Sequence, residues 1–474
     1  MAVDYRSYIE GLVKRAKAAQ EIANSFSQQK VDELCAAVAY AMIQPDFVKK
    51  VAVMLKDESG MGTVDAKIAK LNGKVRGVYR DIKGGKSVGL VEDNKDTGVS
   101  IYAKPMGVIG ALVPVTAGEG APIFKSLSCI KCRNAIIIAP HPKSANTNMV
   151  ITDKIRETLK KFGAPEDLVI SIEAEYVSLE CSGELMKQVD FVWATGGTPM
   201  VKSAYSSGTP TIGVGTGNVA SLIDGTTDLD DVADMIVRSK TFDGGTSCST
   251  ENNIVVFEEC YDKFIKAMEK KNVFLVKENT PEKETLKKVM WPNTPNDHNL
   301  NRDIIAQPAI KIAQMAGIKV PSDTIMLLVE ENGGFGDQYP FNGEKLSPIS
   351  SIRKCRDFED GVQKMEKILD YQGLGHSSGI HTNIAERVHV LGERIKTVRI
   401  CVNQPQALAN SGAWTNGMPM TFTVGCGTWG HNSISHNVNW KDFLNFSFVY
   451  RPMPSTQPTD EELFDEKIRK AFQG

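Results

Sequence analysis

The chain has 474 residues, of which 42% are hydrophobic and 24% charged, so its composition is that of a soluble protein with enough chain for two or three packed units. Its formal net charge of −2 gives no electrostatic argument for binding to nucleic acid or to an anionic membrane. No stretch approaches the roughly 18 to 20 apolar residues of a membrane helix, and the N-terminal segment lacks the apolar core of a signal peptide, so we expect a cytoplasmic protein.

Nine cysteines are spaced irregularly, and an odd count in a long chain argues against a disulfide framework. Cys129 and Cys132 form a C-x-x-C pair, but the sequence has no second pair that would complete a zinc site. Because free cysteine behaves mostly as a small buried hydrophobe, we expect both to pack within a helix rather than to form a redox motif. His376 and His381 lack an accompanying cluster of carboxylates or thiols, so we predict no metal site.

The first part of the chain, residues 5–80, is predicted to be helical, because apolar residues recur every three to four positions with few helix breakers. From about residue 98 the sequence is rich in Val and Ile and is interrupted by Gly and Pro, which predicts successive strands. Further on we predict helices within 122–132, 148–162 and 178–188 and strands in NAIIIAP, DLVISIE and FVWATGG. Strands that alternate with helices indicate a parallel α/β sheet of the dinucleotide-binding kind.

A second α/β region is predicted from about residue 241 onwards. Its predicted elements are a strand in ENNIVVFEE, a helix at 261–272, a strand in TIMLLVEE and a helix at 357–370. The aromatic segment 438–451 then predicts a final strand.

A glycine-containing turn of Thr195, Gly196 and Gly197 joins an apolar strand to a predicted helix. Small residues before a helix N-terminus leave backbone N–H groups free to bind an anion, usually a phosphate. The same pattern also occurs as a plain tight turn, so both interpretations stay open on these residues alone.

Cys248 lies in a loop of small polar residues, FDGGTSCSTEN, just before a strand that we expect to be buried. Such a loop can expose a sulfur and lets backbone N–H groups approach a developing oxyanion, and the thiolate is the nucleophilic form of cysteine. Considered alone, a cysteine in a polar loop more often has no catalytic role.

Six motifs occur in order along the chain: ATGGTPMVKSAYSSGTPTIGVGTGN, FDGGTSCSTEN, EKLSPI, GLGHSSGIHT, VNQPQAL and GCGTWGHNSIS. In order and spacing they resemble the CoA-acylating branch of the aldehyde dehydrogenase superfamily, which includes acylating acetaldehyde, succinate-semialdehyde and sulfoacetaldehyde dehydrogenases. The resemblance extends from about residue 5 to about residue 450. It implies an α/β protein of the aldehyde dehydrogenase-like fold, with a Rossmann-type cofactor domain, an α/β catalytic domain and a small β oligomerisation element.

The resemblance also implies roles for the matching residues. Cys248 matches the catalytic cysteine, which attacks the aldehyde to give a thiohemiacetal and becomes a thioester when hydride leaves for the nicotinamide. Glu344 matches the glutamate that holds the nicotinamide ribose. The other implied cofactor residues are the pyrophosphate turn Thr195, Gly196 and Gly197, the adenosine-ribose segment Pro140, His141, Pro142 and Lys143, and the nicotinamide approach at Gly215 and Gly217.

The acceptor of the acyl group is predicted from a missing residue type. Hydrolytic aldehyde dehydrogenases carry a general-base Glu about where GVGTGN lies, and a base is needed there to activate water. Residues 191–223 contain no Asp or Glu, whereas a thiol with a pKa of roughly 8.5 needs less activation. We therefore predict acyl transfer to a thiol, coenzyme A. Glu251, the nearest remaining carboxylate, is expected to be structural or to face solvent.

The choice between NAD and NADP is less well determined. NAD-specific relatives often have an acidic residue after the second strand, where it binds the ribose 2′-hydroxyl and repels a 2′-phosphate. The corresponding segment, residues 141–144, contains no acid. We favour NAD and leave NADP open.

Two departures from the family pattern concern the aldehyde. Where relatives have P-S-T-N-P, Ala117 replaces the Asn, which leaves Thr116 or backbone N–H groups to bind the oxyanion. Near the end, His431 and His436 replace the Gly and Glu of W-G-G-N-S-x-S-E-N. The histidines favour an anionic aldehyde, or else they lie at a subunit contact. Glu119 argues against an anion, since a carboxylate near the substrate tunnel would repel it.

Residues 452–474 form an extension beyond the usual end of the family. RPMPSTQP predicts a stiff linker, and Thr459 with Glu462 forms a capping box for an amphipathic helix. The predicted apolar face of this helix contains Leu463, Phe464, Ile468, Ala471 and Phe472. The helix either docks on a partner, in this family a bacterial microcompartment shell, or packs on its own oligomer.

The sequence predicts four parts: an NAD(P)-binding domain (1–240, with a strand segment at about 95–110 contributing to oligomerisation), a catalytic domain (241–430), an oligomerisation strand region (431–451) and the linker with its helix (452–474). The predicted reaction oxidises a short-chain aldehyde, with sulfoacetaldehyde or succinate semialdehyde favoured, to its acyl-CoA in a homodimer or homotetramer. The alternatives are an acylating acetaldehyde or propionaldehyde dehydrogenase of a microcompartment, a hydrolytic aldehyde dehydrogenase, and a catalytically silent shell-binding subunit.

Overall fold

The computed structural model describes residues 3–294, 297 and 299–472. Its N-terminal part is helical, as the sequence predicts, and two antiparallel strands follow the helices. The elements are α1 (Tyr5–Ala23), α2 (Gln28–Met42), α3 (Pro45–Ser59), α4 (Val64–Ile82), β1 (Gly89–Asn94) and β2 (Val99–Pro105). The side chains of Asp4, Ser27 and Thr63 accept backbone N–H groups at the starts of α1, α2 and α4.

A five-stranded parallel sheet follows, in the strand order β5-β4-β3-β6-β7. Its elements are β3 (Val108–Leu112), α5 (Ala121–Lys131), β4 (Ala135–Ala139), α6 (Ala145–Lys161), β5 (Val169–Ser171), α7 (Leu179–Gln188), β6 (Phe191–Thr195), α8 (Thr198–Tyr205) and β7 (Thr211–Val214). Strands β3 and β4 are buried along their whole length, which explains their continuous apolar sequences. Cys129 and Cys132 are buried at the end of α5, as we expected.

A seven-stranded parallel sheet forms the second α/β region, in the order β10-β11-β12-β9-β8-β13-β14. Its elements are β8 (Val219–Ile223), α9 (Leu229–Thr241), β9 (Glu251–Phe257), α10 (Glu258–Glu269), β10 (Val273–Val276), α11 (Pro281–Met290), α12 (Ala309–Met315), β11 (Met326–Glu330), β12 (Ile349–Cys355), α13 (Phe358–Tyr371), β13 (Gly375–His381), α14 (Ala385–Arg394), β14 (Thr397–Val402) and α15 (Gln406–Ala409). Strand β9 is its central strand and is fully buried.

The chain passes from the first parallel sheet to the second between Val214 and Val219. Strand β8 pairs with β9 and β13, and α9 packs on α10 and β9. Strand β8 therefore belongs to the second sheet and α9 packs with the second α/β region, although both begin upstream of the boundary at 240 that the sequence suggested. Alternation of helices and strands is the same on both sides of this point, so the pattern gave no signal of it. The domain boundaries themselves stay a prediction.

The third sheet contains β1, β2 and β15 (Leu444–Tyr450), which pairs antiparallel with β2 from Leu444 opposite Pro105 to Tyr450 opposite Val99. The last strand is shorter than the predicted segment 438–451, because Trp440–Phe443 forms a 3₁₀ turn. Phe446, Phe448 and Tyr450 are exposed along β15.

The C-terminal extension contains two short helices, α16 (Asp460–Leu463) and α17 (Glu466–Ala471). The prediction of a single amphipathic helix is therefore wrong. Phe464 has an extended backbone, with φ −124°, and isolated helices of this length are marginal in water. The predicted capping box is present, because Thr459 N donates to Glu462 Oε2 (2.8 Å) and Glu462 N donates to Thr459 Oγ1 (3.3 Å). Residues 473 and 474 of the predicted tail lie outside the described residues.

Within the described ranges, no helix combines the length and the apolar character that crossing a membrane requires.

Candidate active site

A cavity of about 550 Å³ brings together residues from both α/β regions and from α4. Its wall contains the residues that follow β3, β6 and β7, the loop before β9, and segments within 344–346 and 407–424. Cys248 lies in this wall, at a turn three residues before the start of the central strand β9. The turn is closed by Thr250 N donating to Ser247 O (3.1 Å), so the short polar loop of the sequence places the sulfur at the cavity.

Two glycines shape the chain just ahead of Cys248. Gly244 and Gly245 have left-handed φ values of 71° and 72°. A Cβ on Gly244 would lie 2.7 Å from Ala306 O, and one on Gly245 would lie 2.5 Å from Ser347 O. Both the backbone conformation and the close approach require glycine, which explains the pair in FDGGTSC.

Gly217 has a different contact from the one that the resemblance implies. A Cβ at Gly217 would lie 2.0 Å from the carbonyl oxygen of Cys248, so this glycine lets two backbone segments meet directly behind the sulfur-bearing residue. Gly215 lines the cavity, whereas Gly217 is not among its lining residues.

The surroundings of Cys248 favour the neutral thiol. Burial, Glu344 and Cys426 together raise the pKa of the Cys248 thiol to about 12, while Arg399 lowers it. Arg399 is held in place because its Nη2 donates to His376 O (2.6 Å) and to Gly425 O (2.8 Å).

We expect the rate at which iodoacetamide alkylates Cys248 to rise about tenfold per pH unit between about pH 7 and pH 9. The thiolate is the reactive form, and its fraction grows in this way at any pH well below the pKa. Peptide mass spectrometry of Cys248 measures the rate. In the control variant Glu344→Gln, alkylation above pH 8 should be faster, because a nearby negative charge is gone. A rate that levels off below pH 8 would contradict the raised pKa.

Glu344 enters the cavity with a carboxylate oxygen, Oε1, that is buried without a hydrogen-bond partner. Its backbone is fixed because Glu344 N donates to Gln372 Oε1 (2.8 Å), and the preceding Asn342 carbonyl accepts from Asn218 Nδ2 (2.7 Å). Burial raises the pKa of Glu344 to about 8, against the opposing effect of Lys240. A free acceptor oxygen at this place fits the hydroxyl groups of a ribose.

The turn Thr195–Gly197 lines the same cavity and leads into α8. Gly197 is the N-cap residue of α8, and no side chain caps the first turn of this helix. Thr195 is anchored by a 3.0 Å hydrogen bond between its hydroxyl and that of Thr423. A helix start with uncapped N–H groups that opens on a cavity fits a pyrophosphate. The residues of the chain thus fit a dinucleotide at this end of the cavity.

The segment after β4 is brought to the cavity only in part. His141 lines the wall, and burial with the nearby Lys143 and Arg302 lowers its pKa. Pro142 and Lys143 are exposed, and Pro140 is buried outside the wall.

The predicted substrate residues are separated by the fold. Thr116 lines the cavity, as expected for an oxyanion or substrate contact. Glu119 does not line it: this residue is fully buried, and its Oε1 lies 2.6 Å from Lys70 Nζ. The ion pair with Lys70 neutralises the Glu119 carboxylate. Glu119 therefore does not repel an anionic substrate, whereas the sequence had suggested that it would.

The histidines near the end of the chain lie on the surface. His431 is exposed and is not among the cavity-lining residues. His436 is exposed as well, and its Nε2 lies 2.8 Å from Asp442 Oδ1. The structure thus gives no support to binding of an anionic aldehyde by these histidines.

The model of the aldehyde dehydrogenase family matches residues 5–286. The sulfoacetaldehyde dehydrogenase of Acholeplasma sp is 43% identical over 97% of this chain and 94% of its own length. The chain belongs to the aldehyde dehydrogenase family. The sulfoacetaldehyde dehydrogenase (acylating) of Bilophila wadsworthia is 41% identical over 96% of this chain and 97% of its own. The crystal structure of an acetylating aldehyde dehydrogenase from Geobacillus thermoglucosidasius superimposes with a TM-score of 0.91 at 32% identity, over 96% of this chain and 98% of that one.

In this aldehyde dehydrogenase Glu251 is structural, one of the two outcomes that we expected. It is fully buried, and its Oε1 accepts from Gln406 N (2.8 Å) while its Oε2 is hydrogen bonded to Ser239 Oγ. Burial raises its pKa to about 7. Glu251 does not line the cavity that contains Cys248.

Two cations of this aldehyde dehydrogenase cavity were missed by the sequence analysis. Lys70 and Lys74 of α4 line the wall together with Ala69 and Gly73. We predicted residues 5–80 only as helical. The available signal was the spacing of these four residues, which puts two small residues and two lysines on one helix face.

Proposed function

We propose that this protein is a CoA-acylating aldehyde dehydrogenase that oxidises a short-chain aldehyde to its acyl-CoA. The observation that carries the proposal is one cavity that contains Cys248, the uncapped turn before α8, and Glu344. A nucleophile, a fitting site for a dinucleotide and room for a small aldehyde thereby lie together.

The reaction follows from these positions. Cys248 Sγ bonds to the aldehyde carbon. Thr116 and the loop that carries Cys248 line the same cavity, where Thr116 and backbone N–H groups of the loop can bind the thiohemiacetal oxygen. A bound nicotinamide supplies the hydride acceptor. The thiol of CoA then attacks the Cys248 thioester, so acyl-CoA leaves and the cysteine thiol is regenerated. The balance is aldehyde + CoA + NAD(P)⁺ giving acyl-CoA + NAD(P)H + H⁺.

Water is a poor competitor because neither carboxylate in the cavity wall is suited to act as its base. Asp243 is paired with Lys70 (2.7 Å) and with Lys67 (3.4 Å). The raised pKa of Glu344, about 8, keeps this group mostly protonated at neutral pH. General-base assistance typically contributes 10²- to 10⁴-fold, and thioester hydrolysis here lacks it.

For the aldehyde we favour sulfoacetaldehyde, with succinate semialdehyde as the second choice, because the two similar enzymes named above act on sulfoacetaldehyde by their names. A panel of sulfoacetaldehyde, succinate semialdehyde, acetaldehyde and propionaldehyde, each assayed with CoA and with both cofactors, tests this. The highest kcat/KM should belong to an anionic aldehyde. A preference for acetaldehyde or propionaldehyde would overturn the substrate assignment, and no acyl-CoA from any of the four would overturn the function.

For the cofactor we favour NAD. The segment after β4 has no acid in its sequence. The fold brings the Glu58 carboxylate to this segment, where it accepts from Asn146 N (2.8 Å) and Thr147 N (2.9 Å) at the start of α6. A negative charge there would disfavour a 2′-phosphate. The same panel measures the preference as the ratio of kcat/KM with NAD to that with NADP.

We propose a homodimer or homotetramer, supported by the exposed aromatic residues of β15, and a shell-binding role for residues 452–474 inside a bacterial microcompartment. Leu463, Phe464, Ile468 and Phe472 are exposed in this segment, so they are free to bind a partner.

A reporter fused to residues 452–474 is expected to collect in puncta in cells that make shells. Fluorescence microscopy measures the distribution. Ile468→Glu should disperse the puncta because it removes an apolar contact, whereas the matched variant Lys467→Glu should keep them. A uniform distribution of the unmodified fusion would contradict the targeting role.

A further inference from the structure

Helix α4 places Lys74 in the wall of the cavity that contains Cys248. Its ammonium group is held by neutral groups of the segment that follows α15: Nζ donates to Ser411 O (2.9 Å), Ser411 Oγ (2.7 Å) and Gly412 O (2.6 Å). Met420 Sδ is a fourth neighbour, at 3.7 Å. Lys74 is therefore rigidly positioned, and its position is set by two separate parts of the chain.

Lys70, one helical turn before Lys74, is paired with carboxylates, whereas in the described part of the chain Lys74 is not. Lys70 pairs with Glu119 (2.6 Å) and Asp243 (2.7 Å), and Lys67 also pairs with Asp243 (3.4 Å). Two cations and two carboxylates in this cluster cancel. Among the described residues, no ion pair joins Lys74 to a carboxylate, so the groups in direct contact with its ammonium form are neutral dipoles.

The electrostatic neighbours of Lys74 explain why an anion would be favoured. Burial, Lys70 and Arg80 lower the pKa of Lys74 to about 7, and Asp81 opposes them. Segment 411–420 contributes no ionisable side chain. The other titratable groups of the cavity wall are His141, Asp243, Cys248 and Glu344. An anion next to Lys74 would stabilise the charged form of the lysine, which burial disfavours. The stabilisation is charge attraction, because the three N–H groups of Lys74 already donate to Ser411 and Gly412.

Ser411 adds a donor at the same place. Its hydroxyl oxygen accepts from Lys74 Nζ, so the hydroxyl hydrogen remains available to donate, and Ser411 lines the cavity. The nearby wall is apolar and aromatic, with Trp414, Met420 and Phe422. A compact anion at the end of a short carbon chain matches this combination of one cation, one hydroxyl and an apolar wall.

We propose that Lys74 and the Ser411 hydroxyl form an anion subsite that binds the sulfonate or carboxylate end of the aldehyde substrate. The proposal rests on the proposed function and names the residues that give it anion specificity. It assigns to α4 the role that the sequence suggested for His431.

The test compares kcat/KM for sulfoacetaldehyde and succinate semialdehyde with kcat/KM for propionaldehyde, in the full-length protein with CoA and NAD. In Lys74→Met the ratio of kcat/KM for an anionic substrate to that for the uncharged one should fall roughly 10- to 100-fold, because the opposite charge next to the bound anion is lost. In Ser411→Ala it should fall by roughly 2- to 10-fold. The matched control is Arg76→Met, which removes an exposed cation from the same helix and should leave the ratio within about twofold.

A second readout separates specificity from a structural role. The KM for an anionic aldehyde should rise relative to that for propionaldehyde as pH increases from about 6 to 8.5, since Lys74 loses its proton in this range, and Lys74→Met should abolish this trend. Equal losses for both substrate classes in Lys74→Met, or an unchanged ratio, would overturn the subsite. Failure of the wild-type protein to form acyl-CoA from any aldehyde would instead overturn the proposed function.

Discussion

Replacing Cys248 with Ala is expected to lower kcat roughly 10⁴-fold or more, because the covalent route through a thioester is lost with the sulfur. The residue lies at the turn before β9, and its side chain touches the cavity rather than the core, so removal of the sulfur should leave the fold intact. Cofactor reduction with CoA and aldehyde measures the activity, and thermal unfolding measures the fold.

The matched control for this substitution is Cys260→Ala. Cys260 is buried on α10 and has no contact with the cavity, so its replacement should leave kcat within about twofold. Residual activity of Cys248→Ala within tenfold of wild type would contradict the assignment of the nucleophile. Equal losses in both variants would show that the effect comes from packing.

Replacing Gly217 with Ala is expected to lower both activity and stability. The new Cβ would lie 2.0 Å from Cys248 O and 3.0 Å from His376 Cε1, neither of which is a flexible side-chain end, so the loop that carries Cys248 must move. Overpacking of this kind costs typically 1–3 kcal/mol, and a displacement of about 1 Å at a catalytic group costs on the order of 10² in rate. The unfolding midpoint and kcat measure the two effects.

Gly215→Ala is the matched control, because no atom lies within 4 Å of a Cβ at Gly215 and its backbone conformation suits any residue. This variant should unfold at the wild-type temperature. Wild-type kcat in Gly217→Ala would contradict the close contact behind Cys248. An equal loss of stability in Gly215→Ala would show that the strand end, not the contact, is sensitive.

The elements were predictable because they depend on local patterns, and alternating apolar segments predicted both parallel sheets. The catalytic role of Cys248 was predicted from the order of the motifs, through the family resemblance, and not from its own loop. The change of sheet between Val214 and Val219 was not predictable, since strand pairing is set by contacts between distant segments. The break at Phe464 was missed because the helical spacing of apolar residues continues through this position, whereas the backbone there is extended.

The charges at the substrate end could not be read from local sequence. Glu119 and Lys70 are far apart in the chain, and only the fold shows that they neutralise each other. His431 occupies a motif position that suggested the cavity, but the 3₁₀ turn before it leads to the surface. Lys74 lies in a helix with an ordinary amphipathic pattern, which gave no sign of its role. Its hydrogen-bond partners, Ser411 and Gly412, follow both parallel sheets in the sequence, whereas α4 precedes them.

We expect Cys248 to transfer the acyl group to CoA rather than to water. The most direct measurement mixes the protein with aldehyde and NAD in the absence of CoA and follows NADH per subunit, with mass spectrometry of Cys248. We predict about one equivalent of NADH, an acylated Cys248, and further turnover at least roughly 100-fold slower than after CoA is added, when acyl-CoA is released. Continued formation of NADH and free acid without CoA, at a rate similar to that with CoA, would show that water, not CoA, accepts the acyl group.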